Sequence, residues 1–263
     1  MRVDTHCHLD FNSFDQDRAQ TIQRAREAGL IRILNPGIDL ATSQAAIQLA
    51  NSHREVYAAV GVHPNQSSTW DAETRTRLKE MAAEPKVIAI GEIGLDYYRN
   101  MAPRDLQKQV FREQLSLAGE IGLPVVIHNR EATEDVLEIL AEWRERLSKE
   151  HSNLVDRPGV LHSFSGGTDA ARQATRMNFY LGITGPVTFK SATELQKVVI
   201  ESDLENLLIE TDAPFLTPYP KRGERNEPAN VILIVEKIAE LRRRTFDEIA
   251  SVTTANARRL FLW

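Results

Sequence analysis

Three observations predict an α/β fold, a single (β/α)8 barrel of the TIM type, for this chain. Eight short apolar runs alternate with longer amphipathic stretches along the whole sequence. The length of 263 residues matches the roughly 250 residues that such a barrel needs. No Pro-, Gly- or Ser-rich linker, repeat or low-complexity tract divides the chain, so residues 1–263 are expected to form one domain. An open, doubly wound parallel sheet is the alternative fold.

The eight short runs are predicted to be strands. Most of them are almost continuously apolar, which is typical of parallel strands that are covered on both faces. In chain order they are Arg2–His6, Ile31–Pro36, Tyr57–Val62, Val87–Ile90, Pro124–His128, Gly159–His162, Phe179–Ile183 and Leu207–Glu210.

The stretches between these runs are predicted to be helices. An apolar stripe with helical spacing joins Leu106 to Ile121, and Gly122 is expected to end that helix. A second stripe joins Val136 to Leu147. Weaker patterns fill the remaining gaps, and two further helices close the sequence; these stretches are Asp15–Gly29, Leu40–Ser52, Asp71–Ala83, Thr168–Met177, Ser191–Glu201, Ala229–Arg243 and Phe246–Phe261.

Composition and charge exclude several classes of protein. The chain has 32 Lys and Arg against 37 Asp and Glu, a net charge of −5, which argues against a general nucleic-acid coat with a broad basic surface. Cys7 is the sole cysteine, so no intrachain disulfide is possible and a reducing compartment is favoured. The polar first residues and the lack of a long apolar run predict a cytoplasmic protein without a signal peptide or a membrane span.

Histidines and acids recur at the predicted strand ends. His6 and His8 end the first strand, and alternate residues of a strand point the same way, so both imidazoles can bind one cation. Four further candidates lie at or just after later strands, namely Glu92, His128, His162 and Asp212. A barrel brings these strand ends together at one mouth, whereas an open sheet would spread them along a line. The sequence therefore predicts a metal site at the C-terminal mouth of the barrel.

Polar residues in the loops after the strands are candidates for binding substrate. They include His63, Arg130, Arg222 and Arg225. Arginine pairs bidentately with phosphate, so these loops could provide local positive charge on an acidic protein. The alternative is that each arginine is an ordinary solvated loop residue, and that His63 stabilises a turn.

At these residues the sequence resembles the TatD family of metal-dependent deoxyribonucleases, within the amidohydrolase-like superfamily. The resemblance runs from residue 3 to about residue 261 and follows the family's motifs in order. The motifs are DTHCHLD, GVHP, AIGEIGLDYYR, PVVIHNREA, LHSFSGG, LGITGPVTFK, LLIETDAPFLTP and RGERNEPANV. One departure is Ser163, at which many relatives carry cysteine.

The resemblance implies a binuclear site and a substrate. His6, His8, Glu92 and Asp212 would hold one divalent cation, and Glu92 would bridge to a second cation held by His128 and His162. The substrate phosphate would lie near His63, Arg130, Arg222 and Arg225. The cations would be Zn²⁺, Mn²⁺ or Mg²⁺, with Asp212 and Glu92 as the catalytic carboxylates.

The implied activity is that of a 3′–5′ exodeoxyribonuclease. The expected substrate is single-stranded DNA or DNA ends, and the resemblance also implies a role in DNA repair, with no membrane partner and a monomeric protein. Two cations would clamp the scissile phosphate, and Asp212 would act as the general base on the attacking water.

Two other functions are compatible with the same residues. One is hydrolysis of an amide, lactone or ester, or deacylation of a D-aminoacyl-tRNA. Many binuclear amidohydrolases bridge their metals with a carboxylated lysine from the fourth strand, and Glu92 takes that place here, which favours the nuclease. The other is a non-catalytic metal-binding scaffold, which would be expected to have lost one or more of the ligands.

Overall fold

A computed structural model of the chain, which describes residues 1–99 and 101–263, has eight parallel strands arranged in sequence order. This confirms the predicted (β/α)8 barrel. The strands are β1 (Arg2–Asp4), β2 (Leu30–Pro36), β3 (Val56–Val60), β4 (Val87–Asp96), β5 (Val125–Arg130), β6 (Gly159–Leu161), β7 (Tyr180–Ile183) and β8 (Leu207–Ile209).

Helices alternate with the strands along the part of the chain that the structure describes. They are α1 (Arg18–Glu27), α2 (Leu40–Ser52), α3 (Ala72–Met81), α4 (Arg104–Ile121), α5 (Thr133–Lys149), α6 (Thr168–Arg176), α7 (Thr193–Glu201), α8 (Val231–Arg242) and α9 (Phe246–Phe261). Local sequence sets their ends. Gly122 ends α4 with a left-handed φ of 81°, as predicted, because glycine adopts this conformation without steric cost.

The first and last strands meet and close the barrel. The amide of Thr5 donates to the carbonyl of Ile209 at 3.2 Å, and the amide of Asp212 donates to the carbonyl of His6 at 2.9 Å. These bonds join β1 and β8, the two ends of the strand order. An open doubly wound sheet is therefore excluded.

A buried carboxylate reinforces this closure. Asp4 accepts hydrogen bonds from the Thr211 amide at 2.9 Å and from the Thr211 hydroxyl at 2.6 Å. Burial raises the pKa of Asp4 to about 8, although these hydrogen bonds act in the opposite direction. Asp4 and Thr211 lie two residues before His6 and one residue before Asp212. This seam between β1 and β8 therefore also positions the strand ends that carry the predicted ligands.

The barrel interior is filled below the mouth. Val3, Val126 and Leu208 belong to one buried apolar cluster with Leu260 and Phe261 from the end of α9. Each of the three strand residues comes two to four positions before a predicted ligand in the sequence. The last helix therefore covers the end of the barrel opposite the mouth, which leaves the C-terminal end as the open one.

The longest strand differs from its prediction. The apolar run predicted a strand over Val87–Ile90, whereas β4 continues through Glu92 to Asp96 and pairs Asp96 with Arg130 of β5. Glycines interrupt the apolar pattern after Ile90, so the pattern did not predict that the strand continues. Gly94 has φ 140°, and a Cβ built there would lie 2.0 Å from the carbonyl oxygen of His128, so only glycine allows the two strands to come this close.

No helix in the described ranges combines the length and the apolar character that crossing a membrane requires.

Candidate metal centre and substrate cleft

One group of ligand atoms lies between the first and last strands. The Nε2 atoms of His6 and His8 are 3.1 Å apart. Oε2 of Glu92 lies 3.4 Å from the former and 3.5 Å from the latter, and Oδ1 of Asp212 lies 3.7 Å from both. The extended chain turns Cys7, between the histidines, into the buried core. Two imidazole nitrogens and two carboxylate oxygens thus point to one spot.

The orientation and protonation of these histidines suit a cation. Both direct Nε2 toward the carboxylates of Glu92 and Asp212, while their Nδ1 atoms are buried and have no hydrogen-bond partner among the described residues. Burial, followed by the charge of His162, lowers the pKa of His6, so this imidazole is neutral and able to bind a metal. Histidine nitrogens combined with carboxylate oxygens are a common donor set for Zn²⁺ and related divalent cations.

Glu92 offers its second oxygen to another group of histidines. Its Oε1 lies 2.8 Å from Nδ1 of His128, 3.7 Å from Nε2 of His63 and 3.8 Å from Nε2 of His162. Burial opposes ionisation of Glu92, but the hydrogen bond from His128 and the charge of His162 hold its pKa well below the usual range. One ionised carboxylate therefore joins the two groups of ligands, which is the placement that a bridging ligand needs.

His162 is oriented by an acid that the sequence analysis had not assigned. Its Nδ1 lies 3.0 Å from Oε1 of Glu210, a fully buried carboxylate, and this contact leaves Nε2 directed toward the centre. Such a carboxylate–histidine pair fixes the ring of a metal ligand. Although burial disfavours the charged ring, Glu210 and Asp212 raise the pKa of His162 to about 10.

A second unassigned acid lies beside His128. Oδ2 of Asp96 is 3.3 Å from Nε2 of His128, and Oδ1 accepts the amide of Arg99 at 2.9 Å. Burial opposes its ionisation, but the His128 contact and the backbone hydrogen bonds lower the pKa of Asp96. Asp96 occurs in the AIGEIGLDYYR motif, which was the available signal, but its contact with His128 depends on the unpredicted extension of β4.

A cleft of about 770 Å³ opens over this centre, a size typical of sites for small ligands. Five of the six predicted ligands line it, and His6 lies beneath them, fully buried. The predicted substrate residues His63 and Arg130 also line it. The guanidinium of Arg130 lies 3.9 Å from the centre of the Tyr98 ring.

His63 combines both roles considered for it. Its Nδ1 accepts the amide of Asn65 at 3.1 Å, which stabilises the turn after β3, while its Nε2 lies close to Glu92 in the cleft. Burial, and then the neighbouring charge of His128, lower the pKa of His63 to about 3. The ring is therefore neutral at physiological pH.

Arg222 and Arg225 lie outside the cleft lining. Arg225 donates to both carboxylate oxygens of Asp17, at 2.7 and 2.8 Å, and lies over the ring of Phe14. Arg222 lies 4.6 Å from the centre of the Phe189 ring and borders a different cavity. The two arginines therefore lie away from the metal centre, and each has different neighbours.

Aromatic residues of the cleft were missed from the sequence. Phe11 stacks on His8 with ring centres 4.6 Å apart, and Phe215 meets Phe11 edge-on at 6.0 Å. Phe215 lines the cleft and is 51% exposed, whereas most phenylalanines of folded proteins are buried. In sequence it cannot be told from a core residue.

Asp212 has an unusual backbone conformation. Its φ is 55°, in the left-handed region that few residues other than glycine adopt and that is over-represented at functional sites. The amide of Phe215 donates to the Asp212 carbonyl at 2.8 Å. This turn directs both the Asp212 carboxylate and the Phe215 ring into the cleft.

Comparisons with known proteins agree with this arrangement. The family described as TatD related DNase matches residues 3–262. The chain is 47% identical to the uncharacterized metal-dependent hydrolase YabD of Bacillus subtilis, over 99% of each chain, and 38% identical to the 3′-5′ ssDNA/RNA exonuclease TatD of Erwinia amylovora, over 98% of each. The crystal structure of YjjV, a TatD homologue of Escherichia coli K12, superposes with a TM-score of 0.91 at 31% identity, covering 100% of this chain and 98% of that one. The chain belongs to the TatD family of metal-dependent hydrolases.

Proposed function

We propose that the protein is a metal-dependent phosphodiesterase that removes nucleotides from the 3′ end of single-stranded DNA. The observation that carries this proposal is Glu92, which extends one oxygen to His6 and His8 and the other to His128 beneath a cleft lined by Arg130 and aromatic rings. The Erwinia amylovora relative is named a 3′-5′ ssDNA/RNA exonuclease, which supports the direction and includes single-stranded DNA among the substrates.

The ligand set suits two divalent cations. His6, His8, Glu92 and Asp212 would hold one, while Glu92, His128 and His162 would hold the other. The four histidines favour Zn²⁺ or Mn²⁺ over Mg²⁺, which prefers oxygen ligands and retains water. When bound, such a pair of cations neutralises phosphate charge and lowers the pKa of water.

The side chains of the cleft divide the remaining work. Asp212, with a side chain 14% exposed, orients the attacking water and accepts its proton. The water oxygen bonds to phosphorus and the bond to the bridging 3′ oxygen breaks, which releases a 5′-nucleotide and leaves a 3′ hydroxyl on the shortened strand. Arg130 offsets the negative charge on the phosphoryl oxygens, and neutral His63 can donate a hydrogen bond to one of them.

The aromatic rings of the cleft suit a nucleotide substrate. A nucleobase offers a flat face to rings such as Phe11 and Phe215, and stacking of this kind tolerates any base sequence. Amide or lactone hydrolysis gains no comparable support, because no lysine occurs among the described residues that line the cleft.

The test uses one single-stranded oligonucleotide carrying a label at either end. The protein loaded with Zn²⁺, Mn²⁺ or Mg²⁺ should release a 3′ label at once as a mononucleotide, and should shorten the 5′-labelled strand one nucleotide at a time. An oligonucleotide with a phosphorothioate at the last 3′ linkage serves as the control. It should slow both the release of the 3′ label and the shortening of the 5′-labelled strand. Intact DNA and RNA after full metal loading, together with hydrolysis of a lactone or aryl ester, would overturn the proposal.

Three further expectations stay predictions: a cytoplasmic location, a monomeric state and a role in DNA repair.

A further inference from the structure

A second cavity, of about 680 Å³, lies beside the cleft. The loop after β7 and the loop after β8 border both cavities. Pro186 and Leu216 of these loops line the cleft, whereas Thr188 and Tyr219 line the second cavity. The amide of Tyr219 donates to the Thr188 hydroxyl at 2.8 Å and joins the two loops. The cavities therefore share one wall, and a chain that leaves the cleft over this wall enters the second cavity.

The second cavity presents an unused aromatic ring and free positive charge. Tyr219 is 66% exposed. The guanidinium of Arg222 lies against the ring of Phe189, and within the described ranges neither it nor the ammonium group of Lys190 forms an ion pair or a side-chain hydrogen bond. Their donors are available to a ligand. Aromatic rings interleaved with unpaired cations are the combination that binds single-stranded nucleic acid.

The acidic residues of this cavity lie on its far side. Glu236 and Glu240 belong to α8, and the carboxylate of Glu240 lies 2.9 Å from the Lys237 ammonium group. The unpaired cations, Lys190 and Arg222, lie on the two loops that form the shared wall. An anionic chain that crosses this wall therefore meets positive charge first.

We propose that the second cavity is a binding subsite for the nucleotides that precede the scissile one in a single-stranded polynucleotide. A base stacks on Tyr219, and Arg222 and Lys190 bind the phosphates on either side of it. The assignment rests on the proposed function, because it concerns the part of the substrate that remains outside the cleft.

The first test compares substrates of different length. In wild-type holoenzyme, kcat/KM should be higher for a decamer of deoxythymidylate than for a dinucleotide, which ends within the cleft. Tyr219→Ala should lower this decamer-to-dinucleotide ratio at least about fivefold, which corresponds to the loss of one stacked base. Tyr219→Phe keeps the ring and should keep the ratio.

The second test measures binding without turnover. Anisotropy of a fluorescein-labelled decamer, recorded with EDTA at several salt concentrations, gives the slope of log affinity against log salt. The slope should shrink by about 0.7 for each cation removed in Arg222→Ala and Lys190→Ala. Arg176→Ala, at an exposed position on α6, is the matched control and should leave the slope unchanged.

The outcomes separate the two proposals. A wild-type enzyme that degrades neither oligonucleotide overturns the nuclease function and the subsite with it. A wild-type enzyme that degrades both at equal kcat/KM, or a Tyr219→Ala variant with an unchanged length ratio in a folded protein, overturns the subsite alone. Circular dichroism and the Tm of each variant establish that it is folded.

Discussion

The centre of the barrel mouth and its rim differ in what fixes their side chains. At the centre, Glu92 lies within β4, and His6 and His8 follow β1 on either side of Cys7, which forms a parallel bridge with Ala213. Backbone pairing therefore determines where each imidazole or carboxylate points. At the rim, Arg222 and Arg225 lie three residues apart in one loop, yet one faces a cavity and the other binds Asp17. A ligand's direction is thus determined by backbone pairing, whereas the direction of a loop arginine depends on the side chains around it, Asp17 for Arg225 and the Phe189 ring for Arg222.

The largest effect is expected at the centre, from Asp212→Asn. The amide keeps the shape of the side chain and one ligating oxygen but loses the charge and the basicity, so turnover of single-stranded DNA should fall at least about 100-fold. The variant should still fold, because the side chain lies in the mouth rather than in the packed core. Turnover and metal stoichiometry are measured together, and a folded, metal-loaded variant within about threefold of the parent contradicts the role.

Glu92→Gln should change metal content rather than turnover alone. If Glu92 bridges both sites, the loss of its charge lowers the occupancy of two cations, while Asp212→Asn lowers at most one. Metal analysis after dialysis against equal free metal distinguishes the variants. Equal stoichiometry in Glu92→Gln and wild type would show that this carboxylate is not a bridge.

Metal affinity should rise with pH. His162 must lose its proton to bind a cation, and its metal-free pKa is about 10. The folded metal-free protein therefore holds this proton at neutral pH. Because His162 must release it, each unit of pH increase below about 10 should raise the affinity of the protein for the cation up to tenfold. Calorimetric titrations of the cation in buffers of different ionisation enthalpy count the released protons, and a pH-independent affinity would contradict the assignment.

The same group affects folding stability in the absence of metal. Because the folded-state pKa of His162 lies above the ordinary 6.5, its contribution to the free energy of unfolding is complete below about pH 6.5 and is lost as the pH rises toward 10. Denaturant titrations of EDTA-treated protein at pH 7 and 9 measure this loss. His162→Gln is the control that should reduce this loss. Asp4, whose folded-state pKa is raised to about 8, accounts for a part that remains.

A moderate effect is expected where the rim meets the centre, at Phe215. Phe215→Ala removes the exposed ring of the cleft and should lower kcat/KM for single-stranded DNA at least about fivefold, the value of one stacked base. With an abasic 3′-terminal nucleotide, the parent and the variant should become equal. A loss of the same size on both substrates would assign Phe215 a purely structural role.

The smallest effect is expected for Arg225→Ala. The resemblance implies phosphate binding, whereas the structure pairs Arg225 with Asp17, each with a side chain 32% exposed. A partly exposed ion pair contributes about 0.2–1 kcal/mol, so the variant should lose that much free energy of unfolding and keep turnover within about threefold. A larger loss of turnover with unchanged stability would show that Arg225 binds substrate.

Sequence reasoning reached the barrel and the convergence of the six ligands because both depend on periodicity. Alternation in His6–Cys7–His8 and the repeated placement of acids and histidines at strand ends are local signals. Glu210 ends a predicted strand and Asp96 lies in one of the motifs, but neither could be paired with its histidine from the sequence. The partners, His162 and His128, are distant in sequence, and the barrel brings each of them to its carboxylate. Phe215 was missed for a related reason, since exposure is a property of the fold and not of the residue type.

The seam between β1 and β8 also determines at what stage of protein synthesis the metal centre can be completed. His6 leaves the ribosome early and Asp212 late, and at about 5–20 residues per second tens of seconds of synthesis separate them. Until then His6 and His8 lack the Asp212 carboxylate and the hydrogen bonds that join β1 to β8. A nascent or interrupted chain therefore lacks the complete centre, and metal binding by all the ligands together reports that translation has passed the last strand.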